Sequence, residues 1–386
     1  MLSALTALAA LAIDMSLPAM PQLQRAFEAD VSRVQLTLSL FLLGYGGGQF
    51  VCGSLSDHFG RRSVMLIGLG VFTISSFACA FAPSLPVLVL LRLVQGAGAS
   101  AGPILARAIV RDLFDQHEGA SILSHITQMM VLAPILAPVI GGYLLLYFAW
   151  NSIFLVLAVC GTVLSVLTWR RLPETLSDQR EVTPVMAGII RGYGRLLSHR
   201  PSMRYVLATS FSFAGLFGYI SGSPFVFMQV YGVREEHFGY YFALPALALM
   251  AGAGANRSLL RRYSSMVLLR VGAWLLLTAG TMSVTLAWLD FGGLPGLVVP
   301  LMLYLFGMGI LGPNATSAAL AHHGRSAGAA SSLMGALQTL SGAAGGFLVA
   351  ALYDHTSRSL ATVLGVCALL AFIACRWEGR GGEKQF

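Results

Sequence analysis

Two ionisable residues lie inside long apolar segments, where a charge is costly. Asp14 falls in the segment from Leu2 to Ala19, and Arg92 falls in the segment from Leu85 to Val110. At the centre of a bilayer a charged side chain costs about 2.5 to 3.5 kcal/mol, so it usually faces a partner or a water-filled cavity. A carboxyl group there holds a proton more tightly, and a nearby cation loosens that hold. We therefore predict that Asp14 and Arg92 form a couple that carries protons; the alternative is a static buried ion pair that only fixes packing.

Few other residues could do chemistry. The five cysteines lack the spacing of disulfides or zinc sites, and we interpret them as small core residues. His322 and His323 fall in a predicted loop, so we expect no metal site there. The only lysine is Lys384, in the C-terminal tail, so the chain cannot supply a P-loop lysine for ATP. The sequence predicts neither an enzyme nor a bound metal or other cofactor.

The elements that must position Asp14 and Arg92 are membrane-spanning helices. Of the 386 residues, 56% are hydrophobic and only 10% are charged, which leaves too little polar surface for a soluble globular protein. A spanning helix needs about 20 apolar residues, and about twelve such stretches can be placed along the chain. We interpret most of the 43 glycines as positions where such helices pack closely. The predicted fold class is an all-α membrane protein.

Basic residues mark one side of this predicted membrane protein. The net charge of +8 could suggest nucleic-acid binding, but the arginines concentrate in alternate loops, which is the positive-inside bias of cytoplasmic loops. We predict that both termini are cytoplasmic and that no nucleic acid is bound. Because the first span begins almost at Met1, we expect either a start upstream of Met1 or a short first helix.

A polar stretch in the middle of the chain separates about six spans from about six. We predict a first helical bundle over 1–170, a central cytoplasmic loop over 171–203 and a second bundle over 204–386. Within that loop, 186–197 could be an amphipathic helix on the membrane surface or a solvated linker.

The loop between the second and third spans carries a dense motif. Its fixed positions are Gly53, Leu55, Asp57, Gly60, Arg61 and Arg62, and a weak second copy lies at 256–262. The loop resembles the pattern G-x-L-x-D-x-x-G-R-R/K of the major facilitator superfamily at every position. With two sets of six spans, the resemblance covers nearly the whole chain and implies the major facilitator fold, two six-helix halves related by pseudo-symmetry.

This motif is predicted to be a conformational gate. Gly53 would let two helices touch, Asp57 would accept hydrogen bonds from helix N-terminal N–H groups, and Gly60 would make a tight turn. Further gate contacts are expected at the cytoplasmic end of the fourth span, from Arg107, Arg111 and Asp112.

Two strings resemble a narrower family, the Bcr/CflA drug:H+ antiporters, which confer resistance to bicyclomycin and chloramphenicol. The run from Asp14 to Pro21 resembles that family's D-x-x-L-P-x-x-P signature in the first helix. The run that begins at Arg92 matches the superfamily's pattern R-x-x-Q-G-x-G-A, in which the arginine is associated with proton transfer.

The fifth span resembles a motif of exporters. Pro134 and Pro138 are four residues apart, so they lie on one helix face and can bend the helix. With Gly141 and Gly142 they resemble the antiporter pattern G-x-x-x-G-P-x-x-G-G, in which alanines here replace the two leading glycines. The resemblance implies an antiporter helix and export of the substrate.

The sequence thus predicts a proton-coupled multidrug or antibiotic exporter of the bacterial inner membrane that works by alternating access. Its expected partners are protons and a small amphipathic drug, and we expect it to function as a monomer without a cofactor. The alternative is a proton-linked transporter of a metabolite such as an amino acid or a sugar. Residues that could line the substrate cavity, or could equally serve helix packing, are Tyr45, Gln128, Tyr219, Phe225 and Gln338.

Overall fold

The structure, a computed structural model, describes residues 1–114, 116–175, 193–321 and 327–376. Within these ranges a few side chains are not described, among them those of Asp57 and Arg111. The described chain is helical, and twelve of its helical segments are long and apolar enough to cross a membrane. The predictions of an all-α fold and about twelve spans are confirmed.

The first six spans contain eight helices, because the first and fourth spans are each made of two. These helices are α1 (Leu2–Asp14), α2 (Met20–Ala26), α3 (Val31–Phe59), α4 (Arg61–Ala80), α5 (Leu85–Ala99), α6 (Ala101–Leu113), α7 (Gln116–Tyr147) and α8 (Asn151–Arg171). A 3-10 turn at Leu17–Ala19 joins α1 to α2. The first span is therefore a broken helix.

The last six spans are single helices. They are α9 (Arg200–Phe225), which continues into a π-helical turn at Val226–Val230, α10 (Glu235–Leu259), α11 (Ser265–Trp288), α12 (Gly293–Leu320), α13 (Ala327–Ala351) and α14 (Arg358–Arg376). The predicted domain boundaries stay a prediction. Most of the predicted central loop lies outside the described residues, as does most of the predicted surface helix over 186–197.

Two helix pairs make the largest contacts between the halves. Helix α3 packs on α13, and α7 packs on α10. The first pair joins the second span to the eleventh, and the second pair joins the fifth span to the eighth. Because equivalent spans of the two halves are six apart, each pair is the pseudo-symmetric counterpart of the other. Large apolar side chains remain exposed on outer helices, such as Ile74 at 72%, Val159 at 62% and Ile373 at 52%. A lipid environment explains why these side chains face outward.

We name the two ends of the bundle by a residue. The Gly60 face is the end where α3 stops and α4 begins, and the Glu235 face is the end where α2 stops and α10 begins. Because consecutive spans alternate in direction, the starts of α3 and α5 also lie at the Glu235 face.

Candidate functional site

Asp14 is the last residue of α1, at the break in the first span. Four residues later, Pro18 has no N–H to offer the carbonyl group of Asp14, so a regular helix cannot continue. The residue is only 3% exposed. Among the described residues, no hydrogen bond or ion pair reaches its carboxyl group. Asp14 is therefore a buried acid that has no compensating partner among the described residues.

Arg92 is also buried, and its guanidinium group is held by neutral groups. Its Nη1 donates to Oε1 of Gln95 at 2.6 Å and to the carbonyl oxygen of Ala12 at 3.2 Å. Its Nε donates to the carbonyl oxygen of Thr37 at 3.4 Å, and its charge lies 4.4 Å from the ring centre of Phe41. Arg92 thereby ties α5 to both α1 and α3.

The predicted couple of Asp14 and Arg92 does not form in this conformation. No ion pair joins them in the part of the chain that the structure describes. The physical reason is Gln95, one helical turn along α5, which accepts from Arg92 while its own amide donates to Ser76 at 2.7 Å. The roles of Asp14 and Arg92 in proton coupling stay a prediction.

Tyr219 is the predicted cavity residue that the structure brings to Asp14. It comes from α9, in the other half, and lies close enough for an electrostatic interaction with Asp14. Its hydroxyl group donates to the carbonyl oxygen of Phe242 at 3.2 Å, and the two rings stack at 5.2 Å. The acid of the first half thus lies near an aromatic residue of the second half.

The other four predicted cavity residues are not joined to Asp14 by any hydrogen bond or ring contact among the described residues. Tyr45 and Gln338 are half-buried, and Gln128 is exposed. Phe225 is fully buried, and its ring centre lies 6.1 Å from that of Tyr353, towards the Glu235 face; its place in the cavity stays a prediction. Spacing along the chain did not reveal which helix face turns inward.

The predicted antiporter helix packs on the break beside Asp14. A Cβ atom added to Gly141 would lie 2.4 Å from the carbonyl oxygen of Met15, and one added to Gly142 would lie 2.7 Å from that of Glu235. Helix α7 therefore touches the first span at Gly141 and touches α10, which belongs to the other half, at Gly142. Pro138 is buried and Pro134 is half-buried within α7, which runs on without interruption.

Two predicted gate residues meet at the Gly60 face. Nε of Arg61 lies 3.2 Å from Oδ2 of Asp112, and both side chains are almost completely buried. Nη1 of Arg61 also donates to the hydroxyl group of Ser56 at 2.5 Å. This cluster ties the ends of α3, α4 and α6 together. Arg107 is exposed, and the side chains of Asp57 and Arg111 lie outside the described structure.

Glu174, which sequence reasoning missed, caps α4. Its carboxylate accepts from the backbone N–H groups of Arg61 at 2.8 Å and Arg62 at 3.2 Å. The turn before this cap needs glycine, because Gly60 has φ +91° and an added Cβ atom would lie 2.4 Å from Oε2 of Glu174. The available signal was that Glu174 is the first acid after the sixth span, three residues beyond Arg171.

Gly53 does not play its predicted part in this conformation. Among the described residues, a Cβ atom added there would have no neighbour within 4 Å. The expectation that Gly53 lets two helices touch is therefore wrong for the described part of the structure.

The weak second copy of the motif has a neutral counterpart of the Arg61 cluster. Nδ2 of Asn314 donates to Oδ1 of Asn256 at 2.6 Å, and the hydroxyl group of Ser265 donates to Oδ1 of Asn314 at 2.8 Å. These residues come from α12, α10 and the start of α11. The arginines of the copy, at 257, 261 and 262, are exposed.

The Glu235 face is closed by bonds between the halves. Glu235 accepts from Gln22 at 2.7 Å and from Arg25 at 2.8 Å, and Gln229 donates to Gln24 at 2.6 Å. Deeper in, the buried side chain of Gln35 donates to the carbonyl oxygen of Ser221 at 3.0 Å. All four of these hydrogen bonds join the two halves at this face.

Sequence reasoning did not find this closure. The only signal was the opposite charge of Arg25 and Glu235 in two loops on the same side of the membrane. Charges in loops do not reveal which loops meet.

Comparisons with known proteins place the chain in a family. The profile of the Major Facilitator Superfamily matches residues 2–346. The chain is 33% identical over 380 residues to the uncharacterized MFS-type transporter YdgK of Bacillus subtilis, covering 97% of this chain and 93% of that protein. It is 29% identical over 362 residues to the bicyclomycin resistance protein homolog of Haemophilus influenzae (94% and 91% covered). It is also 29% identical over 372 residues to multidrug resistance protein D of Escherichia coli (96% and 92% covered).

Solved structures agree on the fold. The xylose transporter XylE of Escherichia coli, in a partially occluded inward-open conformation, superposes with a TM-score of 0.73 over 96% of this chain and 95% of that one, at 14% identity. The matched profile, the near full-length relatives and the two sets of six spans all lead to one assignment: the chain belongs to the major facilitator superfamily.

Proposed function

We propose that the protein exports small amphipathic drugs, antibiotics among them, in exchange for protons. The names of two relatives, a bicyclomycin resistance protein homolog and a multidrug resistance protein, support drug export. The observation that carries proton exchange is Asp14, a buried acid at a helix break that has no partner in the described part of the chain. A membrane protein keeps such an acid where it can be protonated and deprotonated in turn.

The proposed cycle uses both faces of the bundle. The arginine-rich Gly60 face and both termini lie in the cytoplasm of a bacterial cell, as the positive-inside rule favours. The hydrogen bonds at the Glu235 face then close the protein to the outside. Rocking of the halves exposes Asp14 to the outside, where it takes up a proton, and then to the cytoplasm, where it releases the proton and the drug enters.

The gradient supplies enough energy for this exchange without a cofactor. One proton that crosses about 100 mV gains roughly 2.3 kcal/mol, and one pH unit adds roughly 1.4 kcal/mol. Since about 1.4 kcal/mol corresponds to a tenfold concentration ratio, one proton supports a drug gradient of roughly two to three decades. One copy of the fold contains all these parts, so we propose a functional monomer.

The test is drug accumulation in cells that express the chain. We expect expression to lower accumulation of chloramphenicol, and we expect a protonophore or the substitution Asp14→Asn to restore it. Asp290→Asn is the matched control, since Asp290 is exposed at the Glu235 face and its positive φ of 51° suits asparagine equally well. The variant protein in the membrane is quantified by blotting.

Two results would contradict the proposal. Normal export by Asp14→Asn would remove Asp14 from the proton pathway. Unchanged accumulation of every drug in a panel, with the protein present in the membrane, would favour a proton-linked transporter of a metabolite.

A further inference from the structure

A groove opens in the first half of the protein, which supplies all of its lining residues. It lies at the Glu235 face, between the loop that joins α2 to α3 and the first turns of α5, and it encloses about 830 Å³. The residues that define it are Phe27, Glu28, Arg33, Leu36, Val89 and Leu90. We name it the α3/α5 groove.

The α3/α5 groove has an apolar floor and a charged mouth. Leu36, Val89 and Leu90 lie one to two turns inside α3 and α5, and Leu90 is 63% exposed. Glu28 and Arg33 lie at the mouth, at the level where the helices begin. An apolar groove that extends one to two helical turns below a pair of opposite charges matches the headgroup and the first part of an acyl chain of an amphipathic lipid.

Glu28 occupies a position where glycine is usual. The N–H group of Ala29 donates to the carbonyl oxygen of Gln24 at 3.1 Å, and Glu28, between them, has φ +47°. This geometry is a Schellman-type end of α2, in which the left-handed residue is most often glycine. The chain keeps a strained acidic residue there, and strain of this kind concentrates at functional sites.

Both charges at the mouth are available to a ligand. Among the described residues, Glu28 has no hydrogen bond or ion pair. Arg33 has only a loose pair with Asp30, at 3.9 Å, in which both side chains are more than 70% exposed. Exposed pairs of this kind contribute little, so the guanidinium group can turn to a better acceptor.

We propose that the α3/α5 groove binds one phosphatidylethanolamine molecule of the surrounding membrane. Its phosphate would accept hydrogen bonds from Arg33, its ammonium group would donate to Glu28, and an acyl chain would lie along Leu36, Val89 and Leu90. The two charges of the mouth match the two charges of this headgroup. A choline headgroup has no N–H donor for Glu28, and a glycerol headgroup has no cation.

Native mass spectrometry of the full-length protein tests the assignment. The purified protein is incubated with an equimolar mixture of phosphatidylethanolamine, phosphatidylcholine and phosphatidylglycerol. We expect the ethanolamine lipid to exceed the choline lipid about three- to tenfold among the bound adducts, the range for one partly exposed charged hydrogen bond. Soluble glycerophosphoethanolamine should not compete, since it has no acyl chain for the apolar floor.

Three variants and one control make the test specific. Glu28→Gln should bring the ratio of ethanolamine to choline lipid close to one, and Arg33→Gln should reduce all bound phospholipid. Leu90→Trp should block the floor without touching either charge, and its exposed position keeps the fold intact. Asp290→Asn, an acidic residue of positive φ at the same face of the second half, should bind lipid as the wild type does.

The proposal would be overturned by equal binding of the ethanolamine and choline lipids to the wild type. It would also be overturned if the Glu28→Gln and Leu90→Trp variants kept the wild-type ratio of bound ethanolamine lipid to bound choline lipid. Effective competition by soluble glycerophosphoethanolamine would overturn it as well.

Discussion

Asp14 owes its surroundings to backbone packing. Pro18 ends α1 at the acid, and Gly141 lets α7 approach the backbone that follows it, 2.4 Å from where a Cβ atom would lie. The two alanines that replace glycines in the antiporter pattern, Ala133 and Ala137, are buried as well. At the residue scale, the pattern marks a place where a helix with small side chains lies directly on the broken first span.

Gly141→Ala should therefore damage both packing and transport. The added methyl group would collide with the carbonyl oxygen of Met15, and overpacking of this kind costs about 1 to 3 kcal/mol. We expect a lower melting temperature in detergent and reduced drug export. Gly53→Ala is the matched control for stability, because an added Cβ atom there meets no described residue within 4 Å. Equal stability of the two variants would refute the close contact.

Helix α4 depends on a residue that lies more than a hundred positions away. Glu174 follows α8 and accepts from the first N–H groups of α4, and Arg62 donates to the carbonyl oxygen of Trp169 at 2.6 Å in the other direction. At the scale of elements, the end of the sixth span thus fixes the start of the third. The predicted gate motif needs this second piece of chain to hold its shape.

Removal of this cap should destabilise the protein in steps. Glu174→Ala loses both acceptors and should cost about 0.5 to 2 kcal/mol, as the loss of other helix caps does. Glu174→Gln keeps one acceptor oxygen but no charge, so it should fall between the alanine variant and the wild type. Thermal unfolding followed by tryptophan fluorescence measures the series, with Thr175→Ser as the neighbouring control. An alanine variant as stable as the wild type would argue against the cap.

The whole molecule is closed at one end by polar contacts between its halves. Glu235 joins Gln22 and Arg25 across the interface, and Gln35 seals the layer beneath them. The Gly60 face has its buried charges within one half, where Arg61 meets Asp112. At the scale of the molecule, opening the Glu235 face requires these inter-half bonds to break, while the cluster at Arg61 can move with its own half.

Glu235→Gln should shift the conformational balance towards opening of the Glu235 face. Loss of one partly exposed charge pair is worth about 0.2 to 1 kcal/mol, which corresponds to a rise of roughly 1.5- to 5-fold in the open population. A cysteine placed at Gln24 should then react faster with a membrane-impermeant maleimide than it does without the Glu235 substitution. Asp290→Asn, outside the interface, should leave the rate unchanged. An unaltered rate in Glu235→Gln would show that this contact does not hold the face closed.

The sequence by itself determined the helices and the outstanding residues. A bilayer demands about 20 apolar residues for each span, so the twelve spans are visible in composition alone. Asp14 and Arg92 are conspicuous for the same reason, because a charge in an apolar stretch needs an explanation. The turn at Gly60 is likewise local, since its backbone conformation is a property of the chain at that point.

Only the tertiary structure decided which residues meet. In the tertiary structure Arg92 binds Gln95 and not Asp14, and Glu174 caps α4. Glu235 binds Gln22, and Phe225 packs on Tyr353. In three of these contacts the partners are more than a hundred residues apart in the sequence. Each contact also depends on how far its helix is rotated about its axis. An apolar helix looks alike on most of its faces, so its sequence pattern cannot fix that rotation. Packing against the neighbouring helices does.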